Sequence, residues 1–167
     1  KRIMTRPSLL LLVLAYVGFI SLGLPDAVAG VAWPSVRQAF GGLPQAGLGA
    51  LVACAGAGYV VSSLMAARVI HALGVGGLLA ASTALVTLAQ SGFAASALWP
   101  LFVACAFVAG LGSGSIDTGL NGYATRHFSL RHMNWLHACY SLGASGGPLI
   151  MIAVLTQGYS WRVGYVV

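Results

Sequence analysis

Charged positions divide this chain into long apolar runs. Between Arg6 and Asp26 lies the uncharged run Ser8–Pro25, SLLLLVLAYVGFISLGLP. No charge occurs between Arg37 and Arg68, and none between Arg68 and Asp117. The second of these gaps is too long for one membrane-crossing helix, because about 20 residues rising 1.5 Å each span the hydrocarbon core. The polar stretch Gln90-Ser91-Gly92 splits it into two crossings. A further apolar run lies between Arg131 and Arg162, and a last one starts near Trp161. The pattern predicts an all-α membrane protein. Five full spans are expected near 8–33, 45–67, 73–90, 98–123 and 134–156, with the start of a sixth from about 161.

Composition turns this pattern into a statement about solvent. Of 167 residues, 59% are hydrophobic and 6% are charged, against about 25% charged in soluble domains. So few charges cannot cover a water-soluble surface of this size, so the expected partner of the exterior is a lipid bilayer. The 23 glycines agree, since small residues let membrane helices approach closely. The first apolar run is about twice the length of a signal-peptide core and has no convincing cleavage site. Cys54, Cys105 and Cys139 each lie in an apolar run, without metal-ligand spacing, and are read as reduced packing residues.

The net charge of +6, from eight Lys/Arg against two Asp/Glu, does not indicate a nucleic-acid partner. The basic residues are few, scattered and confined to loops, where they act topologically. With a cytoplasmic N-terminus, Lys1, Arg2, Arg6, Arg68, Arg126 and Arg131 fall inside, and only Arg37 and Arg162 fall outside. His71, His127 and His132 are then inside as well. Trp33, Trp99 and Trp161 fall at the outer interface, as an aromatic belt requires. The expected location is a bacterial inner (plasma) membrane. The chain starts at Lys1 and stops in an apolar stretch at Val167, which leads to the expectation that it is a piece of something longer.

Asp26 and Asp117 are the only acids, and neither lies in an evident polar loop. A carboxylate at the bilayer centre costs about 2.5–3.5 kcal/mol on insertion scales, so such residues normally face a bundle interior or a wet cavity. Asp26 follows Pro25 and has two readings: a cap or interfacial contact at a broken helix, or a proton- or solute-binding group. Asp117 lies deeper and has the same functional reading beside a structural one. Protonation of such an acid removes the charge that opposes closing a cavity around it, which couples a proton to a conformational switch. No basic residue lies deep in any span as a fixed partner.

Polar neighbours extend the candidate site. Asn121 shares the helix face of Asp117, four residues on, and reads either as a cavity group or as helix–helix glue. Asn134, His137 and Ser141 form a polar stripe on the fifth span, with Tyr140 three residues after His137. Gly110, Gly112 and Gly114 thin one face of the fourth span. Gly143, Gly147 and Pro148 form a small-residue face that ends in a kink. No metalloprotease, nucleophile-elbow, P-loop or paired-cysteine motif occurs, so neither an enzymatic activity nor a cofactor is expected; the coupling ion is expected to be the proton.

Three segments carry a family resemblance: PDAVAGVAWPSVRQAFG (25–41), GLGSGSIDTGLNGYA (110–124) and NWLHACYSLGASGGP (134–148). Together they resemble the fucose-permease-like branch of the major facilitator superfamily. The resemblance implies the N-terminal six-helix half of that fold, in which two halves rock about a midplane site. It implies proton coupling at Asp117 and Asp26, and a small polar solute, sugar-like in that branch, near Asn121, Asn134, His137 and Tyr140. The first and fourth spans also echo one another (GLPDAVAGVAWP and GLGSGSIDTGLNGY), as a three-plus-three repeat requires. Two features depart from the family. The loop SSLMAARVIHALGVGG keeps Arg68 and Gly74 but has no acid. Gly143-x-x-x-Gly147-Pro148 resembles the fifth-span motif of drug–proton antiporters, which leaves efflux open as an alternative. A non-transporting accessory half-protein is the other alternative.

Overall fold

A computed structural model describes residues 9–167, apart from the side chain of Leu11. The basic residues Lys1, Arg2 and Arg6, and Ser8 at the expected start of the first span, lie outside the described residues. What is described is helical throughout: α1 (Leu9–Gly23), α2 (Val28–Ala39), α3 (Ala46–Ala95), α4 (Trp99–His127), α5 (Leu130–Thr156) and a closing 3-10 turn, Val163–Tyr165. Four segments are long and apolar enough to cross a membrane: Leu12–Ala39, Ala46–Ala95, Trp99–His127 and Leu130–Thr156. In hydrocarbon the backbone has no water to bond, and helices satisfy their own amides. The exterior is correspondingly apolar, with Leu64 76% and Leu142 66% exposed.

The described residues therefore do not form the expected six-helix half. The second and third expected spans run as one hydrogen-bonded stretch, α3, and the start of the sixth is only the 3-10 turn. Within α3, however, Gly74 is non-helical, at φ 70° and ψ 172°, a conformation essentially confined to glycine. The neighbours of the two arms give their directions. Gly58 and Tyr59 in the first arm lie against Phe107 to Gly114, numbering that rises together with α4. In the second arm Leu78, Ser82 and Gly92 lie against Gly119, Gly112 and Cys105, numbering that runs oppositely. The first arm is thus parallel to α4 and the second antiparallel, so α3 doubles back at Gly74. The polar Gln90-Ser91-Gly92 does not break the chain; Ser91 Oγ donates to the Thr87 carbonyl inside the helix, and the reversal into α4 comes at Ser96–Leu98.

The first segment is broken at Leu24–Ala27. Pro25 explains the break: it has no amide hydrogen, and its ring disfavours helical geometry at Leu24. The helix resumes as α2 and passes the expected end at 33, running through Pro34 to Ala39.

Two close helix pairs organise the bundle. In one, Gly23 lies against the backbone of Tyr140, Gly143 against Ile20 and Gly147 against Leu24. In the other, Gly58 lies against Phe107, Gly110 against Ala55 and Gly114 against Tyr59. At each of these positions a Cβ meets a carbonyl oxygen, so backbone touches backbone. Gly112 does not share that face; it turns to Ser82 and Val86 of the second arm, and the expectation of one glycine face on the fourth span becomes two.

Aromatic packing closes one end of the bundle. Trp33 and Trp99 stand 5.9 Å apart, and Phe40 packs on both Trp99 and Trp161. Arg162 stacks 4.2 Å over Trp161 and donates to the Ser96 carbonyl at 2.8 Å. The three tryptophans assigned to one interface thus do share one end. At the other end Tyr16 and His132 form a 2.7 Å hydrogen bond.

The reversal at Gly74 gives a paired prediction. Gly74→Ala is expected to lose about 1–3 kcal/mol, because no side-chain-bearing residue adopts that conformation without strain. Gly76→Ala, with open space around it, is expected to be neutral or stabilising. Thermal unfolding of both variants in detergent checks the pair, and equal midpoints contradict the turn.

Candidate functional site

The Pro25 break places Asp26 at the inner side of the first segment. Its amide bonds back to the Gly23 carbonyl at 3.1 Å. The helix that follows begins after Ala27 without a side-chain cap, so of the two readings of Asp26 the capping one has no hydrogen bond behind it. The carboxylate instead accepts the phenol proton of Tyr140, from α5, at Oδ2.

Asp117 is held in a matching way from another helix pair. Tyr59 Oη, on the first arm of α3, donates to Asp117 Oδ2 at 2.6 Å. Asn121 Nδ2, one turn further along α4, donates to Oδ1 at 2.9 Å. Both oxygens of this acid therefore have a protein donor.

The two arrangements share a local plan. The first contains Gly23-Leu24-Pro25-Asp26, and Gly23 rests on the carbonyl of Tyr140. The second contains Gly114-Ser115-Ile116-Asp117, and Gly114 rests on the carbonyl of Tyr59. In each, a glycine three residues before the acid lets the tyrosine-bearing backbone come close, and the phenol then reaches the acid. One glycine, one acid and one tyrosine from a parallel neighbour thus recur in the first and fourth spans, where the sequence itself shows an echo.

Both acids line a single hollow of about 480 Å³. Its wall includes Tyr59, Tyr140, His137, Ser113, Phe19, Phe93 and Tyr165, and among the described residues no Lys or Arg lines it. His137 meets the Phe19 ring edge-on at 6.0 Å. A cavity of this size, mostly apolar with a few convergent polar groups, matches the general form of a small-molecule site. Among the described residues no group of three His, Cys, Asp or Glu stands ready to hold a metal ion.

The expected site residues distribute unevenly. Asp26, Asp117, His137 and Tyr140 come together in the hollow. Asn121 lies behind it, with its amide nitrogen engaged by Asp117 and its Oδ1 buried without a partner. Asn134 is exposed on α5, outside the lining, because it lies near the start of the helix, below the level of the hollow's α5 residues, His137 and Tyr140. Ser141 donates to the His137 carbonyl rather than into the hollow. Tyr59 was missed. The available signal was a lone tyrosine inside the small-residue run ACAGAGYVVSS, where a phenol has no use facing lipid.

The Tyr59–Asp117 contact predicts a measurable coupling. Tyr59→Phe is expected to cost about 1 kcal/mol, in the range for a half-exposed hydrogen bond to a charged group. In Asp117→Asn the same change is expected to cost visibly less. A double-mutant cycle by detergent unfolding checks this, with Tyr123→Phe as the control; additive effects contradict the contact.

No protein-family model, curated protein or solved structure matches this chain.

Proposed function

We propose that the chain is the N-terminal half of a secondary active transporter of the major facilitator class, moving a small polar solute coupled to protons by alternating access. One observation carries the reading: the two acids of the chain, on different helix pairs, line the same hollow. A carboxylate at the bilayer centre costs about 2.5–3.5 kcal/mol on insertion scales, so a wall that closes over two of them is opposed by whatever part of that cost their hydrogen bonds to Tyr59, Asn121 and Tyr140 leave standing. Protonation removes the penalty and favours closure. A proton site and a conformational switch are then the same chemical group, which is what coupling requires.

Asp117 is the proposed coupling acid, because Tyr59 and Asn121 fix both of its oxygens. Asp26, in the helix break, is the second acid and the proposed solute contact, together with His137 and Tyr140. The repeated glycine–acid–tyrosine plan supports the inverted-repeat architecture of such transporters. In this reading a C-terminal half completes the passage, the N-terminus is cytoplasmic, and the membrane is a bacterial inner membrane.

Proteoliposomes of the parent protein, assayed across a solute panel with and without a pH gradient, test the proposal. Asp117→Asn is expected to abolish gradient-driven accumulation, by tenfold or more if one proton is coupled, while solute exchange continues. Asp26→Asn is expected to weaken solute affinity. Gradient-driven transport that survives Asp117→Asn unchanged removes the coupling role.

A further inference from the structure

The hollow has an electrostatic balance that its own wall does not complete. Two carboxylates line it, and among the described residues the lining supplies neither Lys nor Arg. The other titratable groups sharing it are Tyr59 from the first arm of α3, His137 and Tyr140 from α5, and Tyr165 from the 3-10 turn. Of these, only His137 is a base.

The hydrogen-bonding inventory is lopsided in the same direction. A sugar needs a donor or acceptor for each of several hydroxyls. The phenol protons of Tyr59 and Tyr140 are already given to the acids. The Asn121 amide donates to Asp117, and Asn134 stands outside the lining. What is left lining the space is the unused lone pairs of two carboxylates, Ser113, His137, the Tyr165 phenol, and the rings of Phe19 and Phe93. The wall sets two carboxylates and several aromatic rings against three uncommitted donors, Ser113, His137 and Tyr165, and no fixed cation among the described residues. An ammonium group is the complement of such a wall: it has three donors and no acceptor, it bonds carboxylates with charge assistance, and ring faces attract it.

From this we infer that the solute is a small organic cation, an amine with an apolar or aromatic body, bound between Asp26 and Asp117 and exchanged for protons at those same carboxylates. The exchange step rests on the transporter reading given above; the binding step rests on the hollow alone. Because proton and ammonium compete for one pair of acids, occupancy by one excludes the other. Coupling then takes the form of antiport rather than symport. The aromatic body of the amine occupies the part of the hollow walled by Phe93 and Tyr165, whose rings stand 5.0 Å apart.

Equilibrium binding to the purified full chain in detergent tests the inference with three probes: benzylammonium, its neutral isostere benzyl alcohol, and L-fucose. Benzylammonium is expected to bind at least about tenfold more tightly than benzyl alcohol, since only the charge-assisted contacts differ, and to bind more weakly on acidification. Asp26→Asn and Asp117→Asn are each expected to lower its affinity by about tenfold or more, while Thr156→Ala, at the end of α5 and outside the hollow, leaves it unchanged. The wild-type comparison stands even if an Asp variant fails to fold. Equal affinity for benzylammonium and benzyl alcohol overturns the inference, and so does binding of L-fucose with benzylammonium excluded. The two proposals fail separately. Proton-driven L-fucose transport without benzylammonium binding ends the cation inference and keeps the transporter. Benzylammonium binding in a parent protein that moves no solute keeps the cation site and ends the transporter.

Discussion

Contact of backbone with backbone, made possible by glycine, is the constraint on which the rest of this structure depends. Membrane helices gain little from burying apolar side chains against one another, since lipid is as apolar as leucine; van der Waals contact and interhelical hydrogen bonds do the work instead. Gly23, Gly143 and Gly147 bring the first segment onto α5, and Gly58, Gly110 and Gly114 bring the first arm of α3 onto α4. Only at that separation does a tyrosine on one helix reach an acid on its neighbour. A residue with a side chain at Gly23 or Gly114 pushes the tyrosine backbone away and leaves a carboxylate without its donor.

This arrangement answers the energetic difficulty that the two acids pose. Each accepts a phenol hydrogen bond, and both face a shared hollow rather than the lipid-facing exterior. The means differ in one respect. Asp117 sits in continuous helix and has a second donor, Asn121, at hydrogen-bond distance. Asp26 sits where Pro25 has already interrupted the helix and has the tyrosine alone. The more exposed acid, Asp26, is also the one with fewer protein donors.

The helix break at Pro25 and the reversal at Gly74 serve opposite ends. Pro25 interrupts a segment in its middle, where polar backbone is tolerated only against a cavity. Gly74 reverses the chain between the two arms of α3, in the loop where the resemblance leads one to expect an acid and this chain has none. The turn is therefore supported by backbone conformation, not by an ion pair. Far from it, the cluster around Phe40, Trp99 and Trp161 binds the loop and the closing 3-10 turn to the bundle.

The sequence alone determined where helix must be and which residues could not face lipid. The apolar runs mark where the long helices lie, but not the break at Leu24–Ala27, the extension of the first segment to Ala39 or the continuation of α3 to Ala95; the two acids stand out because the cost of a carboxylate in hydrocarbon attaches to the residue itself, whatever surrounds it. The tertiary structure decided the partners. Tyr59 and Asp117 are 58 positions apart, and Tyr140 and Asp26 are 114 apart; no local period relates them. Tertiary packing also turned Asn121 onto Asp117, left Asn134 outside, and divided the glycines of α4 between two neighbours. Hydropathy records a one-body preference for lipid or for its absence, whereas a hydrogen bond between helices depends on which backbones come close enough to touch.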